Sequence, residues 1–306
     1  MHQSGTIYYD KMKKFAIYTA CIGGYDSITQ PLVIDERFDY ILFSDDVSET
    51  HVGVWQVRKV DYKNGDKTRI ARWVKTHPHV LLSQYNATLW IDSSLQIRSL
   101  DVYKRFIELK NICEIAALVH PERDCIYDEA YFVSNRAMGP VEHDYTSIEW
   151  CHKLWKEKYP RHYGLCETGV LFRMNSEQIE KMNEVWWNCI ENYSKRDQLS
   201  FNYALWKCNL KYEPFLKKKE DVRNSNLFVF HFHSNMKKKL VHMKMAELIR
   251  YRCNHISQRE YQKYEIEWHK IYRFSYPVFI LESIGWMKFA VFSPILAYNK
   301  IKHKYF

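Results

Sequence analysis

The sequence predicts an α/β fold: a mixed, mostly parallel central sheet flanked by helices. Two observations support this class. Short apolar runs recur along the first half, each stopped by glycine, aspartate or charged residues, and segments with helical spacing alternate with them. Such alternation is typical of parallel sheets, whose functional groups gather at the carboxyl ends of the strands. With 306 residues, 46% of them apolar, the chain can form one large domain, alone or with an appendage.

The first half is expected to contain five strands and a broken helix. The strands are predicted at residues 15–20 (FAIYTA), 40–44 (YILFS), 55–60, 88–91 and 115–119 (IAALV). A helix is predicted over 68–82, and it should break near Pro78 because proline lacks a backbone N–H. The strand at 88–91 leads directly into Asp92, which raises the question of what this acid does at the rim of a sheet.

The second half is expected to contain three helices and two strands before its character changes. The helices are predicted at 145–159, 177–193 and 198–207, and the strands at 169–174 and 227–232. Residues 237–272 are basic and predicted helical, whereas 275–298 are mostly apolar but interrupted by Pro277, Glu282 and Pro294. Such a stretch suits an element lying in the headgroup region of a membrane better than a span. A terminal helix packed on the body or on a second subunit is the alternative.

The charge of the chain is concentrated at its end. The formal net charge is +9, yet residues 1–236 carry 31 charges of each sign, and the last quarter carries 14 basic residues against 5 acidic ones. A basic tail can bind nucleic acid or an anionic membrane. No nucleic-acid-binding motif accompanies it, so the membrane is favoured. The eight cysteines form no C-x-x-C pair and no signal peptide is recognised, which favours a reduced, cytoplasmic setting.

Asp92 in "LWIDSS" (89–94) is the first candidate for chemistry. A carboxylate at the carboxyl end of a parallel strand, followed here by Ser93 and Ser94, can hold Mg²⁺ or Mn²⁺ against phosphate oxygens. A turn or N-cap residue is the simpler explanation. The preceding helix carries cations at i, i+3 and i+6, a spacing that suits neutralisation of a diphosphate or a solvated basic face. These cations are Arg69, Arg72 and Lys75.

Four further segments place polar groups beside apolar ones. "HPERDCIYDEA" (120–130) follows a strand directly and includes Arg123 and Asp124. Its many hydrogen-bonding side chains suit a polyhydroxylated ligand, or they belong to an ordinary polar loop. Glu167 precedes a strand, and Asp197 and Gln198 begin a helix, where Asp197 could serve only as an N-cap. The remaining candidates, in "FHFHSNMKKK", could supply metal and phosphate contacts or be satisfied core residues. They are His231, His233 and Lys237.

Taken in order, these segments resemble the TOD1/MUCI70 glycosyltransferase-like family, also known as DUF616. The resemblance covers roughly residues 15–235. It is carried by "YTACIGGYD" (18–26), "YILFSD" (40–45), "RIARWVKTHPH" (69–79), "LWIDSS" (89–94), "HPERDCIYDEA" (120–130), "ETGVLFR" (167–173) and "RDQLSFNYAL" (196–205). It implies a GT-A-type fold and transfer of a sugar from a nucleotide-sugar, with UDP as the expected nucleotide.

A more distant similarity links the chain to family 8 retaining glycosyltransferases. There an Asp-Gln pair begins a helix beside the donor sugar, as Asp197 and Gln198 do here, and a His-x-x-Gly-x-x-Lys segment binds metal and phosphate. His231 and Lys237 keep that spacing, but Ser234 replaces the glycine. The family's Asp-x-Asp is also incomplete, because Ser94 stands where the second acid would be. The implied ligands of Mn²⁺ or Mg²⁺ are therefore Asp92, Ser94, His231 and His233. Alternatively, Arg69, Arg72 and Lys75 carry part of the positive charge that a metal ion would otherwise supply.

The sequence-based assignment is a GT-A-like catalytic domain over 1–240 and a basic, aromatic helical extension over 241–306. Glu167 and Asp197 are the expected catalytic acids, under retention or inversion, assisted by Gln198, Arg123 and Asp124. The nucleotide-sugar is expected on the loops after the first two strands and around Asp92. Its expected contacts are Thr19, Tyr25, Asp26, Asp45, Arg69, Arg72, Lys75, Asp92, Ser93, Ser94 and Lys237.

The expected acceptor is a glycan or lipid-linked oligosaccharide of surface polysaccharide synthesis, of the lipopolysaccharide or capsule type. The extension predicts a peripheral location at the inner face of the membrane and leaves a homodimer open. Two other classes remain. A non-catalytic glycan-binding protein derived from a glycosyltransferase would keep the aromatics without needing clustered cations. A nucleic-acid-binding protein would explain the basic tail but not the neutral body.

Overall fold

The computed structural model of the chain describes residues 15–134, 146–216, 220–231, 257–259 and 262. The chain divides into two units, Met1–His231 and Phe232–Phe306. The first unit contains the strands and helices described below. The predicted basic and apolar extension lies outside the described residues, apart from 257–259 and 262. The division of function at residue 240 therefore stays a prediction.

The described residues form strands and helices in the alternating order that the sequence predicts. The strands are β1 (Phe15–Cys21), β2 (Phe38–Ser44), β3 (His51–Val52), β4 (Trp55–Arg58), β5 (Ala87–Ile91), β6 (Leu95–Ile97), β7 (Ile115–Val119), β8 (Cys166–Met174), β9 (Glu213–Pro214) and β10 (Phe228–Phe230). The helices are α1 (Lys67–Thr76), α2 (Pro78–Leu81), α3 (Asp101–Lys110), α4 (Ile126–Ser134), α5 (Thr146–Lys156), α6 (Glu177–Asn192) and α7 (Gln198–Lys207).

The main sheet is mixed, with the order β3-β4-β2-β1-β5-β8-β7-β9. Among the described strands, its parallel pairs are β1–β2, β1–β5, β2–β4 and β7–β9, and its antiparallel pairs are β3–β4, β5–β8 and β7–β8. This architecture confirms the predicted fold class. A second sheet pairs β10 with β6 in antiparallel fashion.

Strand β8 places its first residues at the edge where β5 and β7 end. It runs antiparallel to both neighbours, so its amino end meets their carboxyl ends. The backbone N–H of Asp92 donates to the carbonyl of Gly169 at 2.8 Å, and that of His120 donates to Leu165 at 2.9 Å. Polar residues from three strands therefore converge at one edge of the sheet.

The sheet separates two apolar layers, because successive side chains of a strand point to opposite faces. On one face, Ile17 and its neighbours pack with Phe106 of α3. On the other face, Tyr18 and Trp90 pack with Trp186 of α6 and with residues of α7. The strands are buried on both faces, as expected when helices cover both sides of a sheet.

The structure corrects three details of the sequence prediction. Helix α3 was missed, although Val102, Phe106 and Leu109 lie on one buried face at helical spacing. Part of the segment 120–130, predicted as a polar loop, starts helix α4 at Ile126. Strand β8 begins at Cys166, so Glu167 lies inside the strand rather than before it. The predicted break at Pro78 is confirmed, since α1 ends at Thr76 and α2 begins at Pro78.

A charged cluster at the carboxyl edge of the sheet

Lys75, in the last turn of α1, lies at the centre of a charged cluster. Its side chain is fully buried, and its ammonium group lies 2.6 Å from Asp197 Oδ2 and 3.2 Å from Asp92 Oδ1. A third hydrogen bond of 3.2 Å reaches the hydroxyl of Thr168. An ammonium group has three N–H donors, so all three are used. We call this group the Lys75 cluster; its members are Lys75, Arg72, Asp92, Thr168 and Asp197.

A second buried cation holds the backbone of Lys75 in place. Arg173 of β8 is 1% exposed, and its guanidinium donates to the Lys75 carbonyl at 2.6 Å and to Asn183 Oδ1 at 2.8 Å. The phenol of Tyr18 also donates to the Lys75 carbonyl, at 3.0 Å, and burial raises its pKa to about 12, so it stays protonated. A cation at the C-terminal end of α1 is favourable for the helix dipole. No carboxylate in the described part of the chain pairs with Arg173.

Asp197 is an ionised, buried partner of this cluster rather than a helix cap. Its carboxylate is 5% exposed and makes no capping hydrogen bond to the helix α7 that follows it. It accepts instead from Thr168 at 2.8 Å and lies 3.3 Å from Arg72 Nε. Burial alone would raise its pKa, but Arg72 and Lys75 outweigh burial and hold the pKa well below its usual range. Asp197 therefore carries its negative charge at any physiological pH.

Asp92 joins the same cluster from the end of β5 but remains open to solvent. Its side chain is 33% exposed, and Oδ1 accepts from the indole of Trp90 at 2.7 Å in addition to Lys75. Its carbonyl accepts from Leu95 at 2.8 Å, so the turn expected after the strand is also present. The neighbouring Ser93 hydroxyl donates to Asp26. The structure therefore brings Asp92, Ser93 and Asp26 together as candidate ligand contacts.

The cations predicted along one helix face have three different environments. Arg72 is part of the Lys75 cluster with its side chain 25% exposed, and it lies close enough to Tyr25 to lower the pKa of that phenol against the larger effect of burial. Lys75 is buried and saturated, so it cannot contact a ligand directly. The ligand contact predicted for Arg69 is corrected, because its guanidinium donates to the carbonyls of Ile190, Glu191 and Tyr193 at the end of α6. Its role is that of a C-terminal cap.

The loops after β1 and β2 are tied to each other. The backbone N–H of Gly23 donates to Asp45 Oδ1 at 2.6 Å, and Gly23 has a φ of 69°, which glycine adopts readily. Thr19, predicted to contact a ligand, is 6% exposed and lines a cavity together with Trp55. Its hydroxyl oxygen is buried and has no hydrogen-bond partner among the described residues. An orphaned buried hydroxyl is a position where a water or ligand atom would be favourable.

A second charged group lies beside the first and is centred on an acid. Glu129 of α4 is 1% exposed and pairs with Arg123 Nε at 2.6 Å and with Arg196 at 3.1 Å. His120 Nε2 lies 3.7 Å from the same carboxylate, and burial, aided by Arg123, lowers the pKa of His120 although Glu129 opposes this. Glu129, Arg123, Arg196 and His120 are called the Glu129 cluster. Arg196 directly precedes Asp197, so the two clusters adjoin.

Gln198 has an unpartnered side-chain amide nitrogen among the described residues, whereas Glu167 is paired. Gln198 Oε1 lies 3.5 Å from Arg196, while its Nε2 is buried without a partner among the described residues. Glu167 pairs with Arg223 at 3.1 Å and is 15% exposed. Burial raises the pKa of Glu167, and Arg223 offsets only part of this rise.

Asp124 does not join the groups at this edge. Its carboxylate is 68% exposed and accepts from His162 Nδ1 at 2.7 Å. The prediction that Asp124 works beside Arg123 in catalysis is therefore replaced by a pairing with His162. Alternating residues of a loop can face opposite directions, and the sequence held no signal for this orientation.

The residues around Asp92 do not by themselves fit a Mg²⁺ or Mn²⁺ ion. These ions prefer several oxygen ligands, but Oδ1 of Asp92 is already occupied by Lys75 and Trp90, and a buried ammonium 3.2 Å away opposes a second cation. His231 Nε2 pairs with Gln96 Oε1 at 2.9 Å, and its backbone N–H donates to Ser94 at 2.7 Å. His233 and Lys237 lie outside the described residues.

Several residues of the site were not predicted from the sequence. Thr168, Trp90, Arg173 and Glu129 were inside quoted segments but were assigned no role. The signal that could have found Arg173 is a cation inside an apolar strand, where a charge has to be satisfied. Glu129 and Arg196 had no comparable signal, because their pairing joins segments 67 residues apart in the chain.

Comparison with known proteins identifies the family of the chain. Residues 1–233 match a glycosyltransferase-like domain. The chain belongs to the TOD1/MUCI70 family, which confirms the resemblance recognised in its sequence. No curated protein matches it. Among the described residues, no helix has the length and apolar character needed to cross a bilayer.

One solved structure with a similarity to this chain is that of a glycosyltransferase. WbbM, a bifunctional glycosyltransferase in its apo form, has 12% sequence identity to this chain and a TM-score of 0.36. The similarity covers 68% of this chain and 39% of the WbbM chain, so the chain spans well under half of WbbM.

Proposed function

We propose that this domain transfers a sugar from a nucleotide-sugar, with UDP as the nucleotide, to a glycan or lipid-linked acceptor. The observation that carries the proposal is the Lys75 cluster. Two acids from separate elements, Asp92 and Asp197, meet around one buried lysine, and a partly exposed Arg72 lies beside them. A nucleotide-sugar needs both kinds of contact, because carboxylates bind sugar hydroxyls and guanidinium groups bind phosphate.

The balance of charge supports an anionic ligand. Among the buried groups, Lys75 and Arg173 carry two positive charges against the one of Asp197, and Arg173 has no acid of its own in the described residues, whereas Arg72 and Asp92 are partly exposed. A buried excess of positive charge is unfavourable until an anion compensates it. A diphosphate at the exposed side of Arg72 would supply this compensation without a resident metal ion.

In the proposed reaction, Arg72 contacts the departing diphosphate and stabilises the negative charge that develops on it. Preorganised electrostatic contacts of this kind are worth roughly 3–4 kcal/mol each in other enzymes. Lys75 acts without touching the ligand: it holds the two carboxylates at fixed positions and adds positive potential. The unpartnered Nε2 of Gln198 is available to donate to a sugar or phosphate oxygen.

The two candidate catalytic acids suit different tasks. Asp197 has a lowered pKa and three partners, so it is a weak base and a persistent negative charge. Such a group can stabilise an oxocarbenium-like centre from the far face, which is the role that a retaining mechanism would give it. Glu167 has a raised pKa, as a group that accepts a proton from the acceptor would need. We propose retention, with Asp197 as the stabilising charge. Product with the opposite anomeric configuration in an NMR assay would instead assign Glu167 as the base of an inverting enzyme.

The acceptor is proposed to be membrane-bound, as in synthesis of surface polysaccharides of the lipopolysaccharide or capsule type. The support is the charge of the tail, 14 basic against 5 acidic residues after Met236, together with its aromatic content. In full-length protein, replacement of Lys300, Lys302 and Lys304 by glutamate should weaken sedimentation with anionic vesicles. Equal sedimentation of this variant and the wild type would contradict a peripheral location mediated by these charges.

A direct test of the proposal is a thermal-shift and calorimetric screen of UDP-sugars and other nucleotide-sugars, with and without Mn²⁺. A ligand that binds the folded state raises its apparent stability by mass action. We expect at least one donor to bind, to be turned over slowly by hydrolysis, and to bind more weakly to R72M than to R69M. Absence of any nucleotide-sugar binding would reject the enzyme and favour a glycan-binding protein.

A further inference from the structure

Three side chains with metal-binding atoms converge at the first turn of helix α4. Cys125, immediately before the helix, is 1% exposed, and Asp128 follows three residues later in its first turn. His162 reaches them from the loop after α5. One ligand atom of each residue lies within 4.8 Å of the ligand atoms of the other two. Cys125 and Asp128 share a helical face because of their i, i+3 spacing.

Asp124 orients the histidine of this group. Its Oδ1 lies 2.7 Å from His162 Nδ1. An ionised carboxylate can only accept, so Nδ1 is the ring nitrogen that carries the proton and Nε2 keeps its lone pair. A carboxylate behind the ligating histidine is the usual outer-shell arrangement of protein metal sites. This accounts for the otherwise unexplained position of Asp124.

The donor set selects the metal. A thiolate, an imidazole and a carboxylate together suit Zn²⁺, whereas Mg²⁺ and Mn²⁺ prefer oxygen ligands throughout. Three protein ligands leave a fourth tetrahedral position for water. The thiol of Cys125 makes no hydrogen bond within the described residues, so coordination would displace no existing partner of the sulfur.

One contact competes with a metal at this place. Arg161 lies 3.0 Å from Asp128 Oδ1, with the two side chains 66% and 43% exposed. Exposed ion pairs contribute about 0–1 kcal/mol, so a metal ion can displace this one or use the other carboxylate oxygen. Removal of Arg161 should therefore strengthen metal binding.

We propose that Cys125, Asp128 and His162 form a Zn²⁺ site, with Asp124 positioning His162. The ion would fasten the first turn of α4 to the loop after α5. Because α4 carries Glu129, the site would stabilise the Glu129 cluster beside Asp197. The proposal does not depend on the transferase activity and can be tested without a sugar donor.

The test uses full-length protein without a polyhistidine tag, stripped of metal with a chelator, dialysed and titrated with Co²⁺ as a spectroscopic substitute for Zn²⁺. We expect uptake of one ion with a thiolate-to-cobalt charge-transfer band, and displacement of Co²⁺ by Zn²⁺. The band should be absent in C125S and the tight uptake lost in H162A. The charge-transfer band should persist in C151S, the matched control, because Cys151 interacts electrostatically with Cys125 but is not one of the three ligands.

Two further variants separate coordination from adventitious thiol binding. D124N should weaken Co²⁺ binding about 10- to 100-fold, as loss of an outer-shell partner does elsewhere, and R161M should strengthen it. Far-UV circular dichroism of each metal-free variant checks that it is folded. The proposal is overturned if the wild type takes up no stoichiometric Co²⁺, if C125S keeps the band, or if D124N binds as tightly as the wild type.

Discussion

The Lys75 and Glu129 clusters adjoin at one edge of the sheet and have opposite arrangements of charge. In the first, a buried cation is surrounded by acids, and in the second a buried acid is surrounded by cations. In both, the central group is at most 1% exposed, while outer groups such as Asp92, at 33%, and Arg196, at 36%, remain open to solvent. The comparison indicates that the central charges are structural and that the outer charges are available to ligands.

The largest expected effect is that of K75M. Methionine has a similar length but leaves Asp197 and Asp92 with one fewer positive charge in a buried site. Breaking a buried ion pair by removing one partner typically costs about 3–5 kcal/mol. Urea denaturation measures the free energy of unfolding. A loss below about 1 kcal/mol, the range of exposed pairs, would show that Lys75 is not the structural centre of its cluster.

E129Q makes the corresponding change in the second cluster and should cost less. Glutamine keeps the shape, and Arg123 keeps a second acid, Glu122, at 2.9 Å. The side chains of Arg123 and Arg196 are 18% and 36% exposed, so water compensates part of the loss. We expect a destabilisation of about 1–3 kcal/mol in the same urea measurement. A cost equal to that of K75M would contradict the difference in exposure on which the comparison rests.

R72M tests the outer charges. Asp197 keeps Lys75 as its partner and Arg72 is 25% exposed, so the loss of stability should be smaller than in K75M. A nucleotide-sugar that contacts Arg72 should bind about 10-fold more weakly, or about 1.4 kcal/mol. Isothermal titration calorimetry measures the dissociation constant, and the salt dependence should become shallower. Unchanged affinity in R72M would remove Arg72 from the proposed donor site.

R223M tests the alternative in which Glu167 is the base of an inverting enzyme. Burial raises the pKa of Glu167 and Arg223 opposes the rise, so removal of Arg223 should raise this pKa further. If the carboxylate is the active form, the rate increases as pH rises through that pKa, and the acidic limb of the rate profile should move to higher pH in R223M. E167Q should lack this limb. If the acidic limb of the rate profile is at the same pH in R223M and the wild type, the limb reports the titration of another group.

R69M should have the smallest effect and is the matched control for R72M. Arg69 lies one turn earlier on the same helix but donates to the carbonyls that end α6. Loss of a cation at a helix C-terminus typically costs about 0.3–1 kcal/mol. Thermal denaturation should detect this decrease, while donor affinity should equal that of the wild type. Weaker donor binding in R69M would restore the predicted ligand contact of Arg69.

The arrangement of elements could be predicted because it follows from local pattern. β1, β2, β5 and β7 were recognisable as short apolar runs with stops, and the break at Pro78 followed from the chemistry of proline. Helix α3 was missed although its buried residues have helical spacing. Other missed elements have weaker local signals: β3 and β9 have two residues each, and α4 begins in a segment rich in polar residues. The partner of β9 is β7, which is distant in the chain.

The sequence alone determined the family, the α/β class and the acids at the ends of the strands, because motifs and periodicity are properties of neighbouring residues. Only the tertiary structure decided which cation meets which acid. Arg69, Arg72 and Lys75 have similar chemistry and regular spacing, yet one caps α6, one lies at the edge of the site and one is buried at its centre. Burial and the positions of Asp92 and Asp197, 105 residues apart in the chain, set those roles.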